Sequence, residues 1–166
     1  GGTGVPLLLA MLVGLLGSTT SSASMPLPTP PLLAYQNRQV GAFVQYNIGE
    51  YGELTSNYAC ESGTLPPTAF APQGTIDTDD WIETTKTFGA KVAQLTTQAG
   101  CGFLLWPSTA KHSGGPLQGQ VYNQTVREGR YGGGDLVRQF VDSCRSAGVR
   151  PALYYIAGQN AYCGVK

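Results

Sequence analysis

The side chains best suited to hold a ligand stand at the ends of two apolar runs. The longer run is Ala93-Gln94-Leu95-Thr96-Thr97-Gln98-Ala99-Gly100-Cys101-Gly102-Phe103-Leu104-Leu105-Trp106-Pro107-Ser108. It breaks at a small-residue turn, resumes with Phe-Leu-Leu-Trp and stops at a proline. That pattern predicts a strand running into a structured loop, and in α/β folds the loop after a strand's carboxyl end is where chemistry collects. Gln98 in this run, and Gln45 in the earlier run 39–47, carry carboxamides that both donate and accept hydrogen bonds. Tyr46 and Asn47 follow Gln45 directly. Trp106 offers a flat aromatic face that serves equally as a stacking surface or as packing.

Other candidates have simpler structural readings. His112 is the only histidine, set among Lys111, Ser113 and Gly114, and reads as a solvated loop residue. One histidine without a serine elbow gives no support to a Ser-His-Asp hydrolase. Asp79, Asp80 and Glu83 share one predicted helix, as capping residues and a solvated face. Gly132-Gly133-Gly134-Asp135 precedes a helix, as phosphate loops do, but no strand precedes it and no lysine follows in place. The four cysteines, Cys60, Cys101, Cys144 and Cys163, lack the spacing of a zinc site and allow three pairings. Cys60 with Cys101 would join the loops after the first two strands, whereas Cys144 falls on a buried helix face as a small core residue. Asn123-Gln124-Thr125 is an N-glycosylation sequon in an expected surface loop.

These residues must be positioned by a chain of 166 residues, enough for one domain. Ten basic and ten acidic residues balance, and no basic patch stands out, which argues against nucleic acid as a partner. Residues 5–16 are apolar but short for a bilayer span, and a small polar stretch follows. Ser21 and Ala23 suit the −3 and −1 positions of a signal-peptidase site. Residues 1–24 are therefore expected to be a secretory signal peptide with a truncated start, leaving residues 25–166 off the membrane, in an extracellular or in a lysosomal or vacuolar compartment.

Residues 25–33 are proline-rich and expected to be extended. The first strand is expected over 39–47 and a long loop over 48–74. A helix follows over 75–89, capped by Asp77 or Thr78, with Trp81, Ile82, Thr85 and Phe88 on one side. The second strand covers 91–97, and another loop runs over 108–133. In the second helix Leu136, Val137, Phe140, Val141, Cys144 and Ala147 form one apolar face, ended by Gly148. The third strand covers 149–156. Strands alternating with helices predict parallel pairing with right-handed crossovers. Long loops after the strands and short ones before them suit a barrel whose functional face lies at the strands' carboxyl ends. A closed barrel needs about eight strands in about 250 residues. The expected fold is thus α/β: about three strands and two helices from the opening part of a (β/α)8 TIM-like barrel, incomplete at its carboxyl end.

Several segments together carry a resemblance. They are Gly41-Ala42-Phe43-Val44-Gln45-Tyr46, Leu65-Pro66-Pro67-Thr68-Ala69-Phe70-Ala71-Pro72, Asp77-Thr78-Asp79-Asp80-Trp81, Gly89-Ala90-Lys91-Val92-Ala93-Gln94-Leu95-Thr96, Gly102-Phe103-Leu104-Leu105-Trp106-Pro107-Ser108, Gly134-Asp135-Leu136-Val137 and Leu153-Tyr154-Tyr155. In this order and spacing, residues 33–155 resemble the amino-terminal part of the α-L-fucosidases of glycoside hydrolase family 29. The resemblance implies a catalytic barrel that removes terminal α-L-fucosyl residues from glycoconjugates with retention of configuration. A carboxylate nucleophile and a second carboxyl acting as acid and then base would do this, without a cofactor or metal. Both carboxyl groups would lie beyond Lys166, so no residue here is assigned a catalytic role.

The resemblance also implies a sugar-binding set, for which Gln45, Tyr46, Gln98 and Trp106 are the candidates. The family's first-strand motif usually ends in histidine, where this chain has Gln45. Its second-strand loop usually reads Thr-Ala-Lys-His-His-Asp-Gly-Phe. Here Gln98 stands at the lysine, and Ala99 and Gly100 stand at the two histidines. Some relatives carry Gly-Cys after the first histidine, which accommodates Gly100-Cys101. A glutamine keeps both hydrogen-bonding roles and an alanine keeps neither. Losing a hydroxyl's partner in a dry pocket costs about 1–3 kcal/mol, which implies weaker fucose binding or a different sugar preference. The alternative is a non-catalytic, secreted carbohydrate-binding relative that has lost the pocket histidines.

Overall fold

A computed structural model describes residues 25–52, 65–132 and 134–165. The expected signal peptide and Cys60 lie outside these residues. The element order is α1 (Pro30–Gln36), β1 (Gly41–Val44), α2 (Thr78–Thr87), β2 (Val92–Gln98), α3 (Leu136–Ser146) and β3 (Arg150–Tyr155), with short 3-10 turns at Ile48–Tyr51, Pro67–Ala69 and Ala161–Cys163. The three strands form one parallel sheet in the order β1-β2-β3. Phe43 sits opposite Gln94, which sits opposite Ala152; Val44 sits opposite Leu95, which sits opposite Leu153. The alternation of strand, helix and parallel strand is the one expected, and the sheet is an open arc of a (β/α)-barrel.

The two faces of the sheet are unlike. Ala93 and Leu95 point into a core built with Ile82 from α2 and with Leu136, Phe140 and Cys144 from α3. Phe43, on the other face, is 49% exposed and meets Tyr154 edge to face at 5.7 Å. Helices on one side and an open inner face are the anatomy of a barrel wall.

Local chemistry explains the helix boundaries. Asp77 Oδ1 accepts from the backbone N–H groups of Asp79 and Asp80 and caps α2. Asp135 Oδ1 accepts from Arg138 N and caps α3. Both helices stop in the same way. Ala90 N bonds Thr85 O and Gly89 N bonds Lys86 O; Val149 N bonds Cys144 O and Gly148 N bonds Arg145 O. These are Schellman pairs, with Gly89 and Gly148 at φ +81° and +70°. The next strand then starts at once, so the connections from helix to strand are short.

Two expectations need correction. The proline-rich segment 25–33 is not extended throughout, because α1 begins at Pro30. Proline is tolerated in a helix's first turn, where its missing N–H has no helical partner to lose, and Leu32-Leu33-Ala34-Tyr35-Gln36 then continues the helix. Phe88, expected on the packed side of α2, is the C-cap residue and 55% exposed.

The stripe on α3 is only half covered. Leu136, Phe140 and Cys144 are fully buried, while Val137 and Val141 line an open groove of about 570 Å³ with Trp106, Leu153 and Tyr155. β1 and β3 are edge strands of the described sheet, and unpaired edges beside exposed apolar residues favour association over a single native state. The 166-residue chain on its own is therefore expected to bind an apolar dye and to melt without a cooperative transition. A sharp calorimetric peak for that polypeptide would contradict this.

Candidate functional site

The site is sought at the carboxyl ends of the strands. At β1, Gln45 is half-buried just after the last paired residue. Tyr46 is held in an aromatic cluster, with its ring 5.1 Å from Trp81, 5.8 Å from Phe70 and 6.1 Å from Tyr51. Its hydroxyl bonds the Tyr51 hydroxyl. Burial, reinforced by that neighbour, raises the Tyr46 phenol well above its ordinary range. Tyr46 thus joins β1 to the α2 side of the sheet. Asn47 is buried and caps the following turn, its Oδ1 accepting from Gly49 N at 2.7 Å while its Nδ2 has no hydrogen-bond partner.

At β2 the ladder to β3 shifts register between Thr96 and Gln98. Such irregularities re-aim side chains at strand ends. Thr97 Oγ1 donates to Tyr154 O at 2.8 Å. Gln98 is fully buried, with Nε2 donating to Ala99 O at 2.6 Å and to Gln159 O at 3.3 Å. Its Oε1 and the Thr96 hydroxyl are buried without a partner. Ala99 is 1% exposed.

The loop after β2 is fixed mainly by backbone bonds. Leu105 N donates to Thr97 O at 3.1 Å, and Leu105 O accepts from Leu136 N at 3.1 Å and Val137 N at 3.4 Å, at the start of α3. Leu104 N donates to Gln124 O at 2.8 Å and Leu104 O accepts from Val126 N at 3.0 Å. Phe103 packs on Phe70 with ring centres 4.9 Å apart. Cys101 is buried and disulfide-bonded, while Cys144 and Cys163 are free.

A second segment covers this loop. Ala161 N donates to Gly100 O at 2.7 Å. The Tyr122 hydroxyl donates to Gly102 O and accepts from Asn160 Nδ2 at 3.0 Å. Burial raises the Tyr122 phenol too, so it remains a proton donor across the ordinary pH range. Gly102 adopts φ +78°, and a Cβ there would stand 2.3 Å from Asn160 Oδ1. No backbone pattern in the sequence marks Tyr122, Gln159 or Asn160 as partners of the loop, because the contacts are non-local.

Trp106 lies apart from the other three candidates. It is 6.4 Å from Tyr155 and lines the groove between α3 and β3, which Gln45, Tyr46 and Gln98 do not line. His112 is not simply solvated. Its N–H donates to Gln120 O at 2.9 Å, its ring stacks on Tyr122 at 5.2 Å, and its Nδ1 is 3.9 Å from Cys163 Sγ. The pairing of Lys111 with Val121 folds the loop back and brings the ring under Tyr122.

Several carboxylates among the described residues have structural partners. Asp77 and Asp135 cap helices, Glu83 pairs with Lys86 at 2.9 Å, and Glu128 bonds Arg127 at 2.6 Å and Thr125 at 2.5 Å. Asp135 also puts a negative charge where an anion would have to bind at the start of α3. Among the described residues no group of three His, Cys, Asp or Glu side chains could hold a metal, and no helix is long and apolar enough to cross a membrane.

No protein-family model matches the chain, and no curated protein matches it at a significant level. Solved structures do match. A putative α-L-fucosidase from Bacteroides thetaiotaomicron is 28% identical with a TM-score of 0.63, covering 77% of this chain and 25% of that one. A putative α-L-fucosidase from Bacteroides ovatus is 26% identical with a TM-score of 0.65, covering 81% and 21%. A glycoside hydrolase 29 family member from an unknown rumen bacterium is 28% identical with a TM-score of 0.64, covering 82% and 24%. The chain thus resembles family 29 α-L-fucosidases and spans about a quarter of the length of these structures.

Two outcomes test this geometry in the full-length protein. Gly102→Ala should destabilise it by about 1–2 kcal/mol from the left-handed backbone alone, with the Asn160 contact adding to that. Gly114→Ala, which meets nothing within 4 Å, should leave the denaturation midpoint unchanged. Desolvation raises both free thiols, Cys144 to about 11, but Cys163 is exposed and Cys144 is buried. A disulfide reagent at pH 8 should therefore show a fast phase that Cys163→Ser removes and Cys144→Ser does not.

Proposed function

We propose that this chain supplies the first strands of the catalytic barrel of a secreted glycosidase of the α-L-fucosidase type. Its substrates are terminal α-L-fucosyl residues of glycoconjugates, hydrolysed with retention. The observation that carries the proposal is the parallel β1-β2-β3 arc with its long carboxyl-end loops, matched to fucosidase structures at up to 28% identity. A retaining mechanism needs two carboxyl groups about 5–5.5 Å apart across the scissile bond. Asp77, Asp79, Asp80, Glu83 and Asp135 sit at helix starts or in a surface ion pair. As the resemblance to the family implies, the nucleophile and the acid/base are proposed to lie on later strands, beyond Lys166.

Within this arc, Gln45 is proposed to hydrogen-bond a sugar hydroxyl at the mouth. Tyr46 would fix Gln45's strand end through the aromatic cluster, Gln98 would hold the loop, and Trp106 would border the binding region. Residues 1–24 are proposed as the signal that routes the protein to the extracellular space or to a lysosomal or vacuolar compartment.

A second reading is favoured by one feature. The Gln98 carboxamide nitrogen is spent on backbone carbonyls and Ala99 is a buried methyl, so neither reaches toward a sugar. A carbohydrate-binding relative without turnover would show that loss. The full-length protein is expected to release the aglycone from an aryl α-L-fucoside, with α-L-fucose as the first product by NMR. The 166-residue chain alone should release none. Fucose binding without turnover would select the second reading, and a β-configured first product would rule out the retaining mechanism.

A further inference from the structure

We infer that Asn123 carries an N-linked glycan and that the glycan can be attached only before this segment folds. The sequon Asn123-Gln124-Thr125 is split between two environments. Asn123 is exposed, whereas Gln124 is 2% exposed and Thr125 is fully buried. Asn123 Oδ1 accepts from the Tyr162 hydroxyl at 2.7 Å. Nδ2 makes no hydrogen bond, so the exposed amide nitrogen is the atom left available. Glycosylation forms a C–N bond at Nδ2 and leaves the amide oxygen an acceptor. The bond to Tyr162 and a glycan are therefore compatible on the same side chain.

The rest of the sequon is closed. A glycosyl-transferring enzyme reads the hydroxyl two residues after the asparagine and must grip the peptide between them. Here the Thr125 hydroxyl donates to Glu128 Oε2 at 2.5 Å and accepts from Arg127 N at 3.1 Å. Gln124 Nε2 donates to Leu65 O at 2.6 Å, and Gln124 O accepts from Leu104 N at 2.8 Å. Thr125 also bridges Leu104 in parallel register. Opening this would break the anchor of the loop after β2. The Tyr162 contact closes over Asn123 from 39 residues downstream. At a synthesis rate of about 5–20 residues per second this leaves a window of about 2–8 s.

The inference needs passage through the secretory pathway and no catalytic activity, so its failure is separable from that of the proposed function. The test is glycan mapping on the whole reading frame expressed in a secreting eukaryotic cell. The secreted protein should carry a glycan at Asn123 that peptide N-glycosidase removes. Asn123→Gln should lack it, and Thr125→Ser, which keeps the hydroxyl, should retain it. In a second arm, unglycosylated folded protein and a synthetic peptide of residues 118–130 are offered to solubilised oligosaccharyltransferase with lipid-linked oligosaccharide. The peptide should be modified and the folded protein should not. An unmodified Asn123 in the secreted protein, an unmodified peptide, or comparable modification of folded protein and peptide would each overturn the inference.

Discussion

The arrangement depends on one residue, Leu105, whose backbone N–H and C=O are both bonded to other elements. Its N–H returns to Thr97 O at the end of β2, and its carbonyl meets two of the first free N–H groups of α3. Helix starts always leave such donors unpaired, and buried backbone groups are costly unless bonded. A fully buried leucine therefore serves as a hinge pin between the central strand and the longest helix. Everything from Ala99 to Leu104 must then fit inside a loop closed at both ends. That explains why the stretch can be small (Ala99, Gly100, Gly102) and still ordered, since its position is set by bonds made outside it.

This constraint limits what the loop can present. With Cys101 disulfide-bonded, Gly100 O bonded to Ala161 and Gly102 O bonded to Tyr122, the turn is covered and its backbone atoms are committed. Ala99 is buried, and Gly100 lies against the segment 159–163 through the bond from Ala161 N. The segment laid across this loop of small residues is also tied to it by a side chain, since the carbonyl of Gln159 accepts from the Gln98 carboxamide.

Periodicity made the scaffold legible. The α3 stripe, the Asp caps and the Gly89 and Gly148 stops lie within a few residues of the atoms they act on, so local sequence carries them. The site was legible only in part. The strand ends were placed, yet their side chains diverge: Tyr46 into a cluster with Trp81, Trp106 into the α3–β3 groove, and Gln98 beneath Gln159. Sequence neighbours at a strand end point to opposite faces, and a register shift at Thr96–Gln98 alters that alternation in a way no residue pattern announces. Likewise His112 in a polar loop looked solvated, because nothing local shows that Tyr122 and Tyr162 come to lie against it.

The groove along α3 shows why the arc is best understood as part of a larger wall. A helix in a (β/α) barrel packs on its own strand, on the next strand and on the following helix. α3 has the first contacts, through Leu136, Phe140 and Cys144, but Val137 and Val141 face Leu153 and Tyr155 across open space. Leu153, 52% exposed, lies on the same face as the fully buried Leu95 one strand away. Burying a Val or Leu side chain is worth about 1.5–3 kcal/mol. These residues are already partly buried, so covering the rest of them would add a fraction of that each, a few kcal/mol in all, against a small domain's about 5–15 kcal/mol. On the rim of that groove Arg145 Nη1 lies 3.8 Å from Asp142 Oδ1, an exposed pair within α3. The strand ends at Gln45 and Gln98 thus sit on a scaffold whose α3–β3 face is left uncovered by the described residues.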